Sequence, residues 1–364
     1  MKKTLITLAV LAASSAAMAQ STVTLYGIAD VWVGNIKVDK GTAPVSGSVT
    51  KAIAGTSQNL IQSGGVNGSR FGLKGSEDLG GGLKADFQLE QGFNLDDGAG
   101  GTIKDNAGVT QTAAFSRNAW VGVSGGFGAI KLGRIATTYY ELEGINDGMY
   151  NSVLSAETVT FRTGAGNNSA FEASNIATRF NNSFRYETPA IAGFTGTLQY
   201  GLTENKTAVV DAGGNYSLSV AYAGGPLSGV VAYQSEKATG TATANNNTRL
   251  GATYDFGVAR LRASYGKGDN VGAVSGAKVT EYQVGIDYPV STALTLYTNF
   301  ARSKDNVTLD AKEGKRTAYG IGAKYTLSKR TFLYGGYVNG KKTQNDSISD
   351  TTVTAFAVGV QHRF

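Results

Sequence analysis

The stretch "LKADFQLE", Leu83–Glu90, decides the fold: Leu83, Ala85, Phe87 and Leu89 alternate with Lys84, Asp86, Gln88 and Glu90. A period of two places the apolar set on one face of a β-strand and the polar set on the other. The pattern returns at Tyr216, Leu218, Val220 and Tyr222, and in "RLGATYDF" from Arg249, "EYQVGIDY" from Glu281, "TAYGIGAKYTL" from Thr317 and "VTAFAVGVQHRF" from Val353. About sixteen such segments run from near residue 22 to near residue 352. Tight connections ("LGG" from Leu79, "GG" from Gly125 and Gly224, "PVST" from Pro289) follow every second segment, and long polar ones fill the other gaps. An even number of strands with short turns on one rim and long loops on the other describes an antiparallel barrel.

A soluble β-sandwich would alternate too, so the fold turns on which face is wet. Tyr186, Tyr222, Phe256, Tyr288 and Tyr325 all fall just before short turns, at one common height. Such a ring fits an aromatic girdle at a membrane interface, whereas a sandwich core places its aromatics nearer strand middles. Sixteen strands closed into one ring also leave a lumen too wide for side chains to fill. The polar face is therefore expected to line water and the apolar face to meet lipid.

Composition agrees. The chain holds fifty glycines, eighteen tyrosines and fifteen phenylalanines but four prolines and no cysteine, so a closed sheet rather than disulfides must hold it together. Residues 1–19 have the zones of an export signal: Lys2 and Lys3, an apolar run from Leu5 to Ala17, and "AMA" ending at Ala19. That run is too short to span a bilayer. No long apolar stretch follows, which excludes a helical inner-membrane protein. Without Lys2 and Lys3 the formal charge of +6 falls to +4, a mild value that gives no support to nucleic-acid binding.

Taken together, "TLYGIAD" from Thr24, "SRFGLKGSEDLGGGLKADFQLE" from Ser69, "RNAWVGVSGGFGAIKLGR" from Arg117, "RFNNSFRYETP" from Arg179 and the terminal "GVQHRF" resemble a general-diffusion outer-membrane porin of the beta-proteobacterial type. The resemblance implies a sixteen-stranded transmembrane barrel over residues 20–364 that forms a homotrimer and passes small hydrophilic solutes and anions without a cofactor. It also implies contact with outer-membrane lipid and lipopolysaccharide, and a third external loop folded inward. That loop is the segment from Ile135 to about Thr178, whose "YYELEGINDGMY" carries more apolar and aromatic residues than a solvated loop holds. Phe364, on the same face as Phe356, Val358 and Val360, is implied to be read by the outer-membrane assembly machinery.

Alternation assigns lumen faces directly. Arg70 and Lys74 share the lumen side of the second strand, Glu90 that of the third, and Arg179 and Arg185 that of the sixth. The two faces of "NAWVGV", which follows Arg117, are not separable by polarity. Resemblance to anion-selective members implies a basic cluster of Arg70, Arg117 and Arg179 faced by Glu90 and by Asp147 on the loop, with Arg134 as a further candidate. Each of these cations could instead anchor the loop to the wall.

Other motifs carry little. "GGYVNGKK" from Gly335 has Lys342 where a phosphate-binding loop needs Ser or Thr. His362 is the sole histidine and lies at the chain end on the apolar face, which disfavours a hydrolase triad or a histidine-based metal centre. Asp96, Asp97 and Asp105 have no calcium-loop spacing. A substrate-specific channel, for phosphate or organic acids, and an adhesin-like surface barrel are the remaining alternatives.

Overall fold

The computed structural model describes residues 22–364 apart from 40–54, 105–109, 144, 146, 150–151, 162, 164–175, 204–207, 209–212, 238–242, 307–313 and 345–349. The expected export signal and Asp105 lie outside the described residues.

The first wall strands are β1 (Thr22–Val38), β2 (Thr56–Ser63), β3 (Arg70–Gly80) and β4 (Leu83–Gly92). A separate hairpin of β5 (Thr102–Lys104) and β6 (Thr110–Thr112) follows. The wall resumes with β7 (Ala119–Gly125), β8 (Gly128–Ala136), β9 (Arg179–Glu187), β10 (Phe194–Leu202), β11 (Gly214–Gly224) and β12 (Leu227–Lys237). It ends with β13 (Asn245–Asp255), β14 (Arg260–Asp269), β15 (Lys278–Pro289), β16 (Leu294–Asp305), β17 (Gly314–Thr326), β18 (Thr331–Gln344) and β19 (Thr351–Arg363).

All wall pairings are antiparallel, and β1 pairs with β19 from Ile28↔Arg363 to Val38↔Val353, closing the ring. β2 and β3 pair with successive halves of β1, Val31–Val38 and Thr22–Ile28, and so form one stave broken at residues 64–69. The seventeen strands of the sheet therefore make sixteen staves. Closure leaves no unpaired edge. Among the described residues no helix is long and apolar enough to cross a membrane; the crossing is made by strands.

The polarity is inside out. On β15 the inward Glu281, Gln283 and Asp287 are buried, while the outward Tyr282, Val284 and Ile286 are 41, 47 and 46 % exposed. A sandwich core would invert that order. The anticipated ring near the short turns is present, with Phe256, Tyr288 and Tyr325 exposed. A second ring not read from the sequence lies toward the long loops, where Tyr282–Phe300 and Tyr319–Tyr337 pack at 6.4 Å between ring centroids. Tyr282 and Tyr288 are about 20 Å apart along β15, so the two rings bracket an apolar band of membrane scale.

At the seam the Phe364 N–H donates to the Gly27 carbonyl (3.1 Å) and the Gly27 N–H to the Phe364 carbonyl (3.0 Å). A Cβ on Gly27 would lie 2.2 Å from Cζ of the Phe364 ring, so glycine is required for the ring to sit there. Deleting Phe364 removes both bonds and the packed ring where the barrel closes. The expected result is a sharp fall in folded, heat-modifiable barrel on unboiled gels; an undiminished band would contradict it.

Candidate functional site

The third long connection crosses the lumen. Its first helix, α1 (Thr138–Glu143), packs on β10, β11 and β12, and its second, α2 (Ala156–Thr160), packs on β16, β17 and β18 on the far side of the ring. The apolar content of the loop is what the wall covers: Tyr139, Leu154 and Phe161 are at most 1 % exposed, and Met149 is buried with them. Gly320 and Gly322 on the inward face of β17 make room, since a Cβ there would lie 2.6 Å from the Leu154 carbonyl oxygen and 2.5 Å from Met149 Cε.

Where the loop leaves β8, four arginines converge. Arg70 opens β3 on its inward face, with Nε donating to the Gly68 carbonyl (3.0 Å). Arg117 enters through a β-bulge: the Glu90 N–H donates to the Asn118 carbonyl and the Arg117 N–H to the Glu90 carbonyl, so two residues oppose one. Both then face inward, and Arg117 Nε binds Glu90 Oε1 at 2.6 Å. This bulge takes Arg117 out of the phase of the strand that follows it, so alternation along "NAWVGV" does not place it. Arg134 donates twice to the Ser116 carbonyl (3.0 and 2.9 Å) and once to Asn181. Arg179 lies over the Tyr140 ring at 5.5 Å.

The four guanidiniums act on one another electrostatically, with Glu90 as the carboxylate among them. Glu90 also accepts from the Tyr26 hydroxyl at 3.0 Å. Tyr140 belongs to the same constellation. Burial alone would push its phenol up, but Arg117, Arg179 and Arg70 outweigh burial and hold it below the ordinary range.

Other candidates go elsewhere. Asp147 is not brought to the arginines: it is fully buried, and its Oδ1 accepts from Asn299 Nδ2 (3.0 Å) on β16 and from the Met149 N–H (2.9 Å). Arg185 anchors α1, reaching Glu141 at 2.6 Å and the Ala136 carbonyl at 3.0 Å. Lys74 sits over the Tyr26 ring at 5.3 Å. His362 faces outward with Nδ1 2.9 Å from Thr331 Oγ1, remote from the lumen.

Three further residues that hold the loop were not singled out from the sequence. Arg249 on β13 pairs with Glu157 of α2 in full burial and stacks on Phe161 at 5.1 Å. Glu281 on β15 accepts from the Thr163 N–H (3.0 Å) and from Ser303 Oγ (3.1 Å). Arg262 on β14 donates to the Ile145 carbonyl and pairs with Asp287 at 2.8 Å. Their signal was a charged side chain on the inward phase at mid-strand.

Comparison with known proteins bears on the whole chain. Residues 6–346 match the Gram-negative porin family. Outer membrane porin protein 32 of Delftia acidovorans is 34% identical over 80% of this chain and 76% of its own length. An outer membrane porin protein of Bordetella pertussis is 29% identical over 82% of this chain and 84% of its own length. An anion-selective porin from Comamonas acidovorans superposes with a TM-score of 0.73 at 27% identity, covering 95% of this chain and 100% of that one. With sequence match, topology and inside-out polarity in accord, the chain belongs to the Gram-negative porin family and is an integral β-barrel channel of the outer membrane.

Proposed function

We propose that the lumen passes small hydrophilic solutes and inorganic ions by diffusion, with a modest anion preference set by Arg70, Arg117, Arg134 and Arg179 against Glu90. The observation that carries this reading is the gathering of Arg70, Arg117 and Arg179 about Glu90, with Arg134 beside Arg117, next to the loop that crosses the lumen. It is supported by the likeness to a porin described as anion-selective. In this reading residues 1–19 direct export, and the resemblance that introduced the family favours a homotrimer.

Diffusion without a binding step makes flux linear in solute concentration. Liposome swelling should slow smoothly with increasing sugar size, and phosphate flux should rise without a plateau; saturation at low phosphate would instead indicate a substrate-specific channel.

Tyr140 gives the preference a pH dependence of known sign. Its phenol is neutral at low pH and carries one negative charge once ionised, so the cluster falls from three net positive charges to two as pH rises. One charge at ~6 Å in water is worth about 0.7 kcal/mol, a factor near three in local anion concentration. Anion preference should therefore drop on alkalinisation, and Tyr140→Phe should remove the drop in the zero-current potential. A drop of equal size in the variant would refute this role.

A further inference from the structure

We propose that Asp30 is a positioning residue for the constriction, fixing both Arg70 and the crossing loop through an inward kink of the wall. This rests on the reading that Arg70 selects ions, and goes beyond it by naming what holds Arg70 in place. Register shows the kink. Ser63 lies opposite Val31 and Arg70 opposite Ile28, so residues 64–69 cover the stretch that β1 covers with Ala29 and Asp30 alone. The surplus residues must leave the plane of the sheet. They turn toward the lumen, and Gly65 is pressed against the inward side chains of the wall: a Cβ there would lie 2.1 Å from the Tyr334 hydroxyl oxygen and 2.8 Å from Trp32 Cδ1.

Asp30 gathers this kink. Its carboxylate is fully buried on the inward face of β1. Oδ1 accepts from the Gly65 N–H (3.0 Å) and the Tyr334 hydroxyl (2.6 Å), and Oδ2 from the N–H groups of Val66 (3.3 Å) and Asn67 (2.9 Å) and from Gln361 Nε2 (2.9 Å). Three successive N–H groups closing on one carboxylate form an anion nest. Tyr334 and Gln361 come from β18 and β19, so the same carboxylate ties the kink to the seam of the barrel. Ser69 Oγ adds a main-chain tie, accepting from the Asp30 N–H (3.0 Å) and donating to the Asp30 carbonyl (3.1 Å).

Both ends of the kink serve the pore. At one end the Gly65 carbonyl accepts from the Val153 N–H of the crossing loop (3.0 Å), and Val66 packs on the cluster that holds Met149, Val153 and Leu154. At the other end the Gly68 carbonyl accepts from Arg70 Nε (3.0 Å), and a Cβ on Gly68 would lie 3.6 Å from Arg117 Nη1. Asparagine at position 30 would keep one acceptor oxygen and turn an NH2 group toward other donors. Either the Oδ1 pair or the Oδ2 trio of bonds is then lost, and the kink is released.

The test is a double-mutant cycle read by the zero-current potential in dilute KCl, because Asp30→Asn also removes a negative charge whose direct effect must be separated. In the otherwise wild-type chain Arg70→Ser should lower the anion-to-cation permeability ratio about threefold, the worth of one charge at ~6 Å in water. In the Asp30→Asn chain, where Arg70 is no longer held at the cluster, the same exchange should leave the ratio nearly unchanged. An equal loss in both chains overturns the proposal. No loss in the otherwise wild-type chain would overturn the selectivity reading, and the proposal with it. Asp30→Asn should also enlarge the single-channel step, since the tie from Gly65 to Val153 goes with the kink; an unchanged step overturns the part that concerns the loop. Should Asp30→Asn not fold, Ser69→Ala, which loosens the kink and leaves the carboxylate, carries the same cycle with the same outcomes.

Discussion

Exchanging Arg70 and Arg179 for glutamate turns the channel's preference from anions to cations. Four arginines and Glu90 leave three net positive charges at the cluster, and two charge reversals bring that to one net negative charge. At ~6 Å in water three charges contribute about 2 kcal/mol, a factor of roughly thirty in local anion concentration, and the variant inverts the sign. Low-dielectric walls enlarge the effect, while screening over about 10 Å in 0.1 M salt reduces it, so dilute KCl is the right condition. Arg117 is the wrong site for this test, because it holds the Glu90 carboxylate at 2.6 Å and its loss would leave that charge unpaired. The zero-current potential of Arg70→Glu, Arg179→Glu across a KCl gradient should change sign. A potential that stays on the anion side would mean these residues anchor the loop without selecting ions.

Arg249→Ala should release the crossing loop and widen the channel. Arg249 and Glu157 are 2 and 0 % exposed and pair with each other, so removing the guanidinium strands a carboxyl in the interior. Breaking one side of a buried pair costs about 3–5 kcal/mol, and it falls on a helix of five residues whose other ties are its packing on β16, β17 and β18 and the bonds of Ser155 and Ala156 to Asn299. Burial already pushes the Glu157 carboxyl up to about 7 against the opposing pull of Arg249; without that pull it takes a proton at neutral pH and the latch is lost. Larger single-channel steps and faster entry of larger sugars into liposomes are expected. Glu157→Gln keeps the shape and one hydrogen-bond acceptor, so its effect should be smaller. Wild-type step size and size cut-off in Arg249→Ala would show that the loop is held elsewhere.

The wall was legible because a strand exposed to two solvents writes its faces into the sequence residue by residue. "LKADFQLE" places Glu90 in the lumen without any knowledge of its neighbours, and the same logic placed Arg70 and Arg185; the register of β9 shifts between Phe180 and Ser183, which puts Phe180 among the buried residues and takes Arg179 out of phase with Arg185. β2 carries a weaker signal, because its outward face, Ser57, Asn59 and Ile61, lies at the rim above the apolar band and holds one large apolar residue. Arg117 was unreadable because a bulge breaks the period at that residue. The loop's inward course was foretold by its apolar content, but its contacts were not. Which wall residue meets Glu157 or Thr163 depends on closure of the whole ring, a relation between residues more than eighty positions apart. Asp147 shows the consequence: expected opposite the arginines, it is carried by the loop to Asn299 on β16.

The measurement that bears most directly on the central claim is a planar-bilayer recording of the wild-type protein under a gradient of dilute KCl at neutral pH. A water-filled ring with a basic waist predicts ohmic steps whose zero-current potential has the sign of anion flow. Silent bilayers, or steps with the sign of cation flow, would contradict it.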